Sequence, residues 1–103
     1  MQGRQSGVVR VSWDSRKNTA NKRKHGISFE EASVLLESDD HLVLFDEAHS
    51  EEEERFISIG PIARGVIVVI WTERMNHEYR IISARAATQG ECELFESYVT
   101  GKA

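Results

Sequence analysis

The order of elements in this 103-residue sequence predicts an α+β fold: a mostly antiparallel sheet with two N-terminal helices and a C-terminal helix. Three observations carry that prediction. Residues 41 to 85 hold four apolar, strand-forming stretches separated by short turns, and strands so joined pair antiparallel. Helix-opening signals stand outside this block, at Ser28-Phe29-Glu30-Glu31 and at Thr88 with Glu91, both in the Ser/Thr-x-x-Glu capping pattern. Helices that flank the strands, instead of alternating with them, are left to cover the sheet.

Residues 1–8 read as a loose tail, and Val9 to Trp13 alternates well enough for a short first strand. Asp14 or Ser15 caps a helix running to about His25, and Gly26 supplies its C-terminal stop. This helix is nearly all polar, with Trp13, Lys17, Ala20 or Asn21, and Lys24 on one side. Core burial alone cannot hold such a helix. Either it is a solvated peripheral element or its basic side has a task. The second helix extends through about Glu37, with Phe29, Ala32, Leu35 and Leu36 as its apolar stripe.

After the turn Ser38-Asp39-Asp40, His41 to Asp46 reads as a strand. An acidic loop then enters a strand from Arg55 to Gly60. Pro61 to Gly65 makes a hairpin connection. Val66 to Trp71 is apolar throughout, as expected of a central strand covered on both faces. Arg74 to His77 is a turn, and a strand rich in β-formers follows from Glu78. The last helix spans about Gln89 to Val99, with Leu94, Phe95 and Tyr98 on its apolar side and Gly101 beyond its end. No repeat or linker divides the chain, so residues 1–103 are expected to form one domain.

The strand Glu78-Tyr79-Arg80-Ile81-Ile82-Ser83-Ala84-Arg85 poses a geometric question. Fixed guanidinium groups are good anion clamps. In strict alternation, however, Arg80 and Arg85 point to opposite faces. They serve one ligand only if the strand bends or breaks. Otherwise this is an edge strand whose arginines pair with nearby acids.

Composition narrows the function classes. The apolar share of 40% and charged share of 29% are those of a soluble globular protein. The longest apolar run, Val66 to Trp71, is far below the roughly 20 residues of a membrane span. No apolar N-terminal segment suggests a signal peptide. The lone Cys92 excludes an internal disulfide and fits a reducing compartment. A net charge of −4 argues against general nucleic-acid coating. Yet Arg10 to Lys24 holds six basic residues and one acid, while Gly26 to Glu54 holds eleven acids and neither Lys nor Arg. Two such poles suit partners of opposite sign, or simply solvate two surfaces.

Three blocks together resemble the BrnT family of type II toxin–antitoxin toxins. They are Trp13-Asp14 with Lys17, Asn21, Lys24-His25-Gly26 and Ser28 to Ala32; Glu54-Arg55 with Ile59-Gly60, Gly65 and Thr72-Glu73-Arg74; and Arg80 to Arg85 with Ala87-Thr88 and Glu91. The resemblance implies a RelE-like fold and a cytoplasmic ribonuclease that inhibits translation. It implies a BrnA-like ribbon-helix-helix antitoxin as partner, two toxins with two antitoxins, and contact with DNA through the antitoxin alone. The chain departs from the family where Ala86, Gln89, Gly90 and Cys92 occupy a stretch that is usually basic. That departure favours a rival reading, a weakly catalytic binding module acting with the antitoxin in operon repression.

RNA can be cleaved without metal by its own 2′-hydroxyl, given a base, cations around the phosphorus and an acid at the leaving oxygen. Arg55, Arg80 and Arg85 are the candidate phosphate clamps. His25 and Glu54 are the candidate proton-transfer groups. Lys17 and Lys24 could hold the RNA backbone. Trp71 or Tyr79 could stack a base if exposed. Each residue has a plainer role open to it: His25 as a helix C-terminal cation, Glu54 as a partner of Arg55 or Arg80, the lysines as solvated charges, Trp71 as core. His41, His49 and His77 lack metal-ligand spacing, so neither metal nor cofactor is expected. The acidic block from Asp39 to Glu54 would repel RNA and is expected away from the catalytic groove.

Overall fold

The computed structural model describes residues 9–49 and 53–102; the expected N-terminal tail and residues 50–52 of the acidic loop lie outside these. The elements follow in the order β1 (Arg10–Ser12), α1 (Ser15–His25), α2 (Phe29–Glu37), β2 (Leu42–Phe45), β3 (Arg55–Ile62), β4 (Gly65–Arg74), β5 (Glu78–Ala86) and α3 (Gln89–Lys102). Short 3₁₀ turns at Glu47–His49 and Met75–His77 join β2 to β3 and β4 to β5. The five strands form one sheet in the order β1-β5-β4-β3-β2. Every pairing is antiparallel except β1 with β5. The α+β expectation holds, and the apolar strand β4 is central.

Local chemistry explains the boundaries. The Asp14 carboxylate accepts from the Arg16 and Lys17 backbone N–H groups and opens α1. Gly26, at φ 74°, closes it, a conformation costly for any residue with a Cβ. Ser28 and Glu31 form a reciprocal capping box at the start of α2. Thr88 and Glu91 do the same for α3. Two boundaries differ from expectation. The β3–β4 ladder continues through Pro61 and Ile62, so the turn shrinks to Ala63-Arg64. Gly101 lies within α3, where its propensity cost is too small to stop a helix already under way.

Pairing sorts the strand side chains onto two faces. On one, Ile67, Val69, Trp71, Ile81 and Ala84 pack with Phe29, Ala32, Leu35 and Leu36 of α2. Gly60 lets α2 come close, because a Cβ there would stand 2.7 Å from the Leu35 side chain. Aromatic rings continue this face across four strands: Phe45 meets Phe56 edge-on, and Phe56, Trp71 and Tyr79 stack in turn at 4.8 and 4.2 Å. The Trp71 indole N–H reaches Ser58 Oγ at 2.8 Å, which satisfies it in the core. On the other face Ile59 and Val68 are buried, and α3 packs against β3.

α1 is docked by polar contacts. Asn21 Nδ2 donates to the carbonyls of Ala84 (2.8 Å) and Ile27 (2.9 Å), and the Ala84 N–H donates to Asn21 Oδ1 (3.2 Å). β1 pairs with β5 only as far as Arg80, so this carboxamide takes the place of a neighbouring strand at Ala84. One turn earlier, Asn18 Oδ1 accepts from the Phe29 N–H (2.8 Å) and Asn18 Nδ2 donates to Glu30 (2.9 Å). From the hairpin tip, Arg64 bonds Glu31 through two nitrogens and the Gly26 carbonyl at 2.8 Å.

Asn21→Ala leaves three backbone groups without these partners, two of them on one buried residue. It should cost about 2–3 kcal/mol, read as a lower midpoint in urea unfolding. A change under about 0.5 kcal/mol, the size of an ordinary surface substitution, would contradict this docking role.

Candidate functional site

α1 runs beside the outer edge of β5, and the two leave a groove of about 210 Å³ between them. Lys17, Ala20, Asn21, Lys24 and His25 line it from the helix, and Ile82 and Ser83 from the strand. Lys17, Asn21 and Lys24 share that wall because their spacing, four residues and then three, is the helical repeat. Asn21 turns its amide into the protein, and the two ammonium groups remain exposed. His25, the last helical residue, also borders a second cavity of about 150 Å³ with Ile27, Ile62, Arg64 and Ala86.

A β-bulge answers the question of the two arginines. Ile70 pairs with Ser83 and Trp71 with Ile81, so Ile82 is an extra residue in β5. Ile81 and Ala84 consequently both reach the α2 core, although strict alternation would separate them. By the same shift, Arg80 and Arg85 share the opposite face. Arg80, Thr72 and Arg55 stand in one cross-strand row there, with Ser12 beyond Arg80.

The arginines are held differently. Arg80 donates to Ser12 Oγ across 3.4 Å, a long bond, and Ser12 in turn donates to Glu78. Arg55 lies 4.0 Å from the Glu53 carboxylate. The Glu54 carbonyl accepts from Thr72 Oγ1 at 2.6 Å, which fixes Glu54 at the Arg55–Arg80 end of the sheet. Arg85 makes a bidentate pair with Glu91 at 2.8 and 2.9 Å. Those two bonds push the Glu91 carboxyl down to about 2, with the Thr88 N–H adding to the effect and burial opposing it.

The structure therefore brings Lys17, Lys24 and His25 into one groove. It sets Arg85 two residues beyond Ser83, and it gathers Arg80, Arg55 and Glu54 at the other end of β5. Five strand residues at about 3.3 Å each separate the two ends by roughly 15 Å. Trp71 and Tyr79 belong to the aromatic stack on the α2 face, so neither offers a ring to the groove. Ile82 and Ser83 had no assigned role in sequence; a bulge needs a known pairing partner to be seen. Among the described residues no group of three or more His, Cys, Asp or Glu could hold a metal ion, and His49 and His77 pair with Asp46 and Glu73. No helix among them is long and apolar enough to cross a membrane.

Comparison with known proteins settles the family. A sequence model described as the ribonuclease toxin BrnT of type II toxin–antitoxin systems matches residues 13–91. The chain belongs to the BrnT family. The fold agrees: the crystal structure of the Brucella abortus ribonuclease toxin BrnT superposes with a TM-score of 0.61 at 25% identity, covering 80% of this chain and 100% of that one. No curated protein matches the sequence. The BrnT match begins at Trp13 and ends at Glu91, so it includes the groove, the bulge and the Arg85–Glu91 pair. Membership in a family of type II ribonuclease toxins implies an RNA target and an antitoxin partner.

The Arg85–Glu91 pair has a pH signature. Its carboxyl is depressed in the folded state, from 4.5 to about 2, so its stabilisation is fully present above 4.5 and lost as pH falls toward 2. Taken whole, that shift corresponds to about 3 kcal/mol, and solvent screening of a partly exposed pair reduces it to about 1 kcal/mol. Glu91→Gln should flatten the fall in thermal midpoint between about pH 5 and pH 2. An unchanged profile would show that the pair contributes nothing to acid stability.

Proposed function

We propose that this chain is an endoribonuclease that cleaves RNA without a metal ion, inhibits translation in the cytoplasm, and is neutralised by a BrnA-like antitoxin. The observation that carries the reading is the placement of His25 with Lys17 and Lys24 along β5 in a member of a ribonuclease-toxin family. The His25 imidazole sits beside cations that attract a phosphate backbone.

In the reaction we propose, a base takes the proton of the RNA 2′-hydroxyl. The 2′-oxygen forms a bond to the adjacent phosphorus, and the bond from phosphorus to the 5′-oxygen breaks. That oxygen leaves with a proton from an acid, giving a 2′,3′-cyclic phosphate and a 5′-hydroxyl. We assign His25 to proton transfer in the groove and Lys17 and Lys24 to the RNA backbone. Arg80 is the stronger phosphate clamp, since its long bond to Ser12 costs little to exchange. Arg85 must share its guanidinium with Glu91. Glu54 and Arg55, at the Arg80 end, would act on the strand where it leaves the groove.

For the partner we propose a ribbon-helix-helix antitoxin, two toxins with two antitoxins, bound to DNA through the antitoxin alone. One observation favours the second reading, a catalytically weak module serving operon repression. Arg85 is already satisfied by Glu91, and α3 opens with Gln89, Gly90 and Cys92 in place of cations.

Cleavage of a purified RNA in excess chelator separates these readings. His25→Ala should lower the rate by about 100-fold with the fold intact. Lys17→Ala and Lys24→Ala should instead weaken RNA binding and reduce its salt dependence. Wild type that folds, binds its antitoxin and cleaves neither naked nor ribosome-bound RNA would establish the second reading.

A further inference from the structure

The α2 face of the sheet carries another concavity, of about 270 Å³, below the C-terminal end of α2. Leu36, Val43 and Tyr79 give it apolar walls, and Glu37 and Asp39 stand at its rim. α2 ends there without a basic residue in its last turn, so nothing on the helix offsets the partial negative charge of its terminal carbonyls. Burial of His41, which also lines the space, lowers its pKa and disfavours its charged form. The apolar surface continues outward onto the edge strand β2, where Val43 and Phe45 are each 46% exposed. Open apolar side chains beside a negative rim repel nucleic acid and suit a partner of the opposite sign.

We propose that this concavity and the exposed face of β2 form the docking site for a segment of the protein antitoxin that presents apolar anchors flanked by Lys or Arg. The proposal rests on the antitoxin partnership argued above. An arginine or lysine stem lies along Tyr79 while its charged head meets Glu37 and Asp39. Apolar neighbours cover Val43 and Phe45. The site is built on the α2 face and the RNA groove on the β5 edge, so the antitoxin grips one region of the toxin while another part of it reaches the groove.

The test is a titration of the ¹⁵N-labelled protein with a synthetic twelve-residue peptide of alternating leucine and arginine, followed by amide shifts. We expect shifts at Leu36, Ser38, Val43 and Tyr79. Affinity should fall about fivefold in the exposed double variant Glu37→Gln/Asp39→Asn, as for the loss of two rim charges. RNA cleavage by that variant should be unchanged, so failure here is distinguishable from failure of the nuclease reading. Several results overturn the proposal: no binding, shifts confined to Lys17 and Ser83, equal binding of a peptide with glutamine for arginine, or affinity untouched by the double substitution. A change in the protein's own molecular mass by light scattering in that variant would assign the face to a second copy instead.

Discussion

The structure depends on one carboxamide. α1 has almost no apolar surface, and hydrophobic burial cannot hold it against the sheet. Asn21 solves this by bonding both backbone groups of Ala84 and the Ile27 carbonyl. A buried amide with such partners is stable only in one orientation, because each displaced partner would lose a bond it cannot recover from water. The bond at Ala84 fixes α1 along β5. The bond at Ile27 fixes the chain between α1 and α2. Asn18 repeats the device at the first residue of α2. The groove wall that carries Lys17, Lys24 and His25 is therefore set by polar contacts on the inner side of the same helix.

The bulge at Ile82 completes the arrangement from the strand side. One extra residue lets Ile81 and Ala84 both reach the core and turns Arg80 and Arg85 to a common face. Bulges recur where a sheet must re-aim a side chain. Here the bulge lies in the wall of the groove itself, next to Ser83. Charge follows the same division. The cations of α1 lie at the β5 side, and the described acids of the β2–β3 connection lie toward the far edge strand. Glu53 and Glu54 are exceptions, since the Glu53 carboxylate lies 4.0 Å from Arg55 and Thr72 holds the Glu54 carbonyl near the Arg55–Arg80 row.

Local signals made much of the fold legible in the sequence. Both capping boxes, the Asp14 cap, the Gly26 stop and the apolar run of β4 act over a few residues and read directly. The face of α1 bearing Lys17, Asn21 and Lys24 was also readable from helical spacing, and it is the face along the groove. What stayed hidden depends on partners far along the chain. Asn18 and Asn21 look like any solvated amides until Phe29 and Ala84 are placed against them. Ile81-Ile82 offers two apolar residues for one core position, and only pairing with Trp71 decides between them. Arg85 and Glu91 read separately in the sequence, one as an anion clamp and one as a cap of α3; one carboxylate serves both the guanidinium and the cap.

We propose that a groove built from α1 and the bulged strand cleaves RNA by internal attack of the 2′-hydroxyl. The most direct measurement is the chemical identity of the new ends, read by mass spectrometry after cleavage in excess chelator. Internal attack leaves 2′,3′-cyclic phosphate on one fragment and a 5′-hydroxyl on the other. A 3′-hydroxyl with a 5′-phosphate would mean that water, not the neighbouring hydroxyl, attacks the phosphorus, and would contradict it.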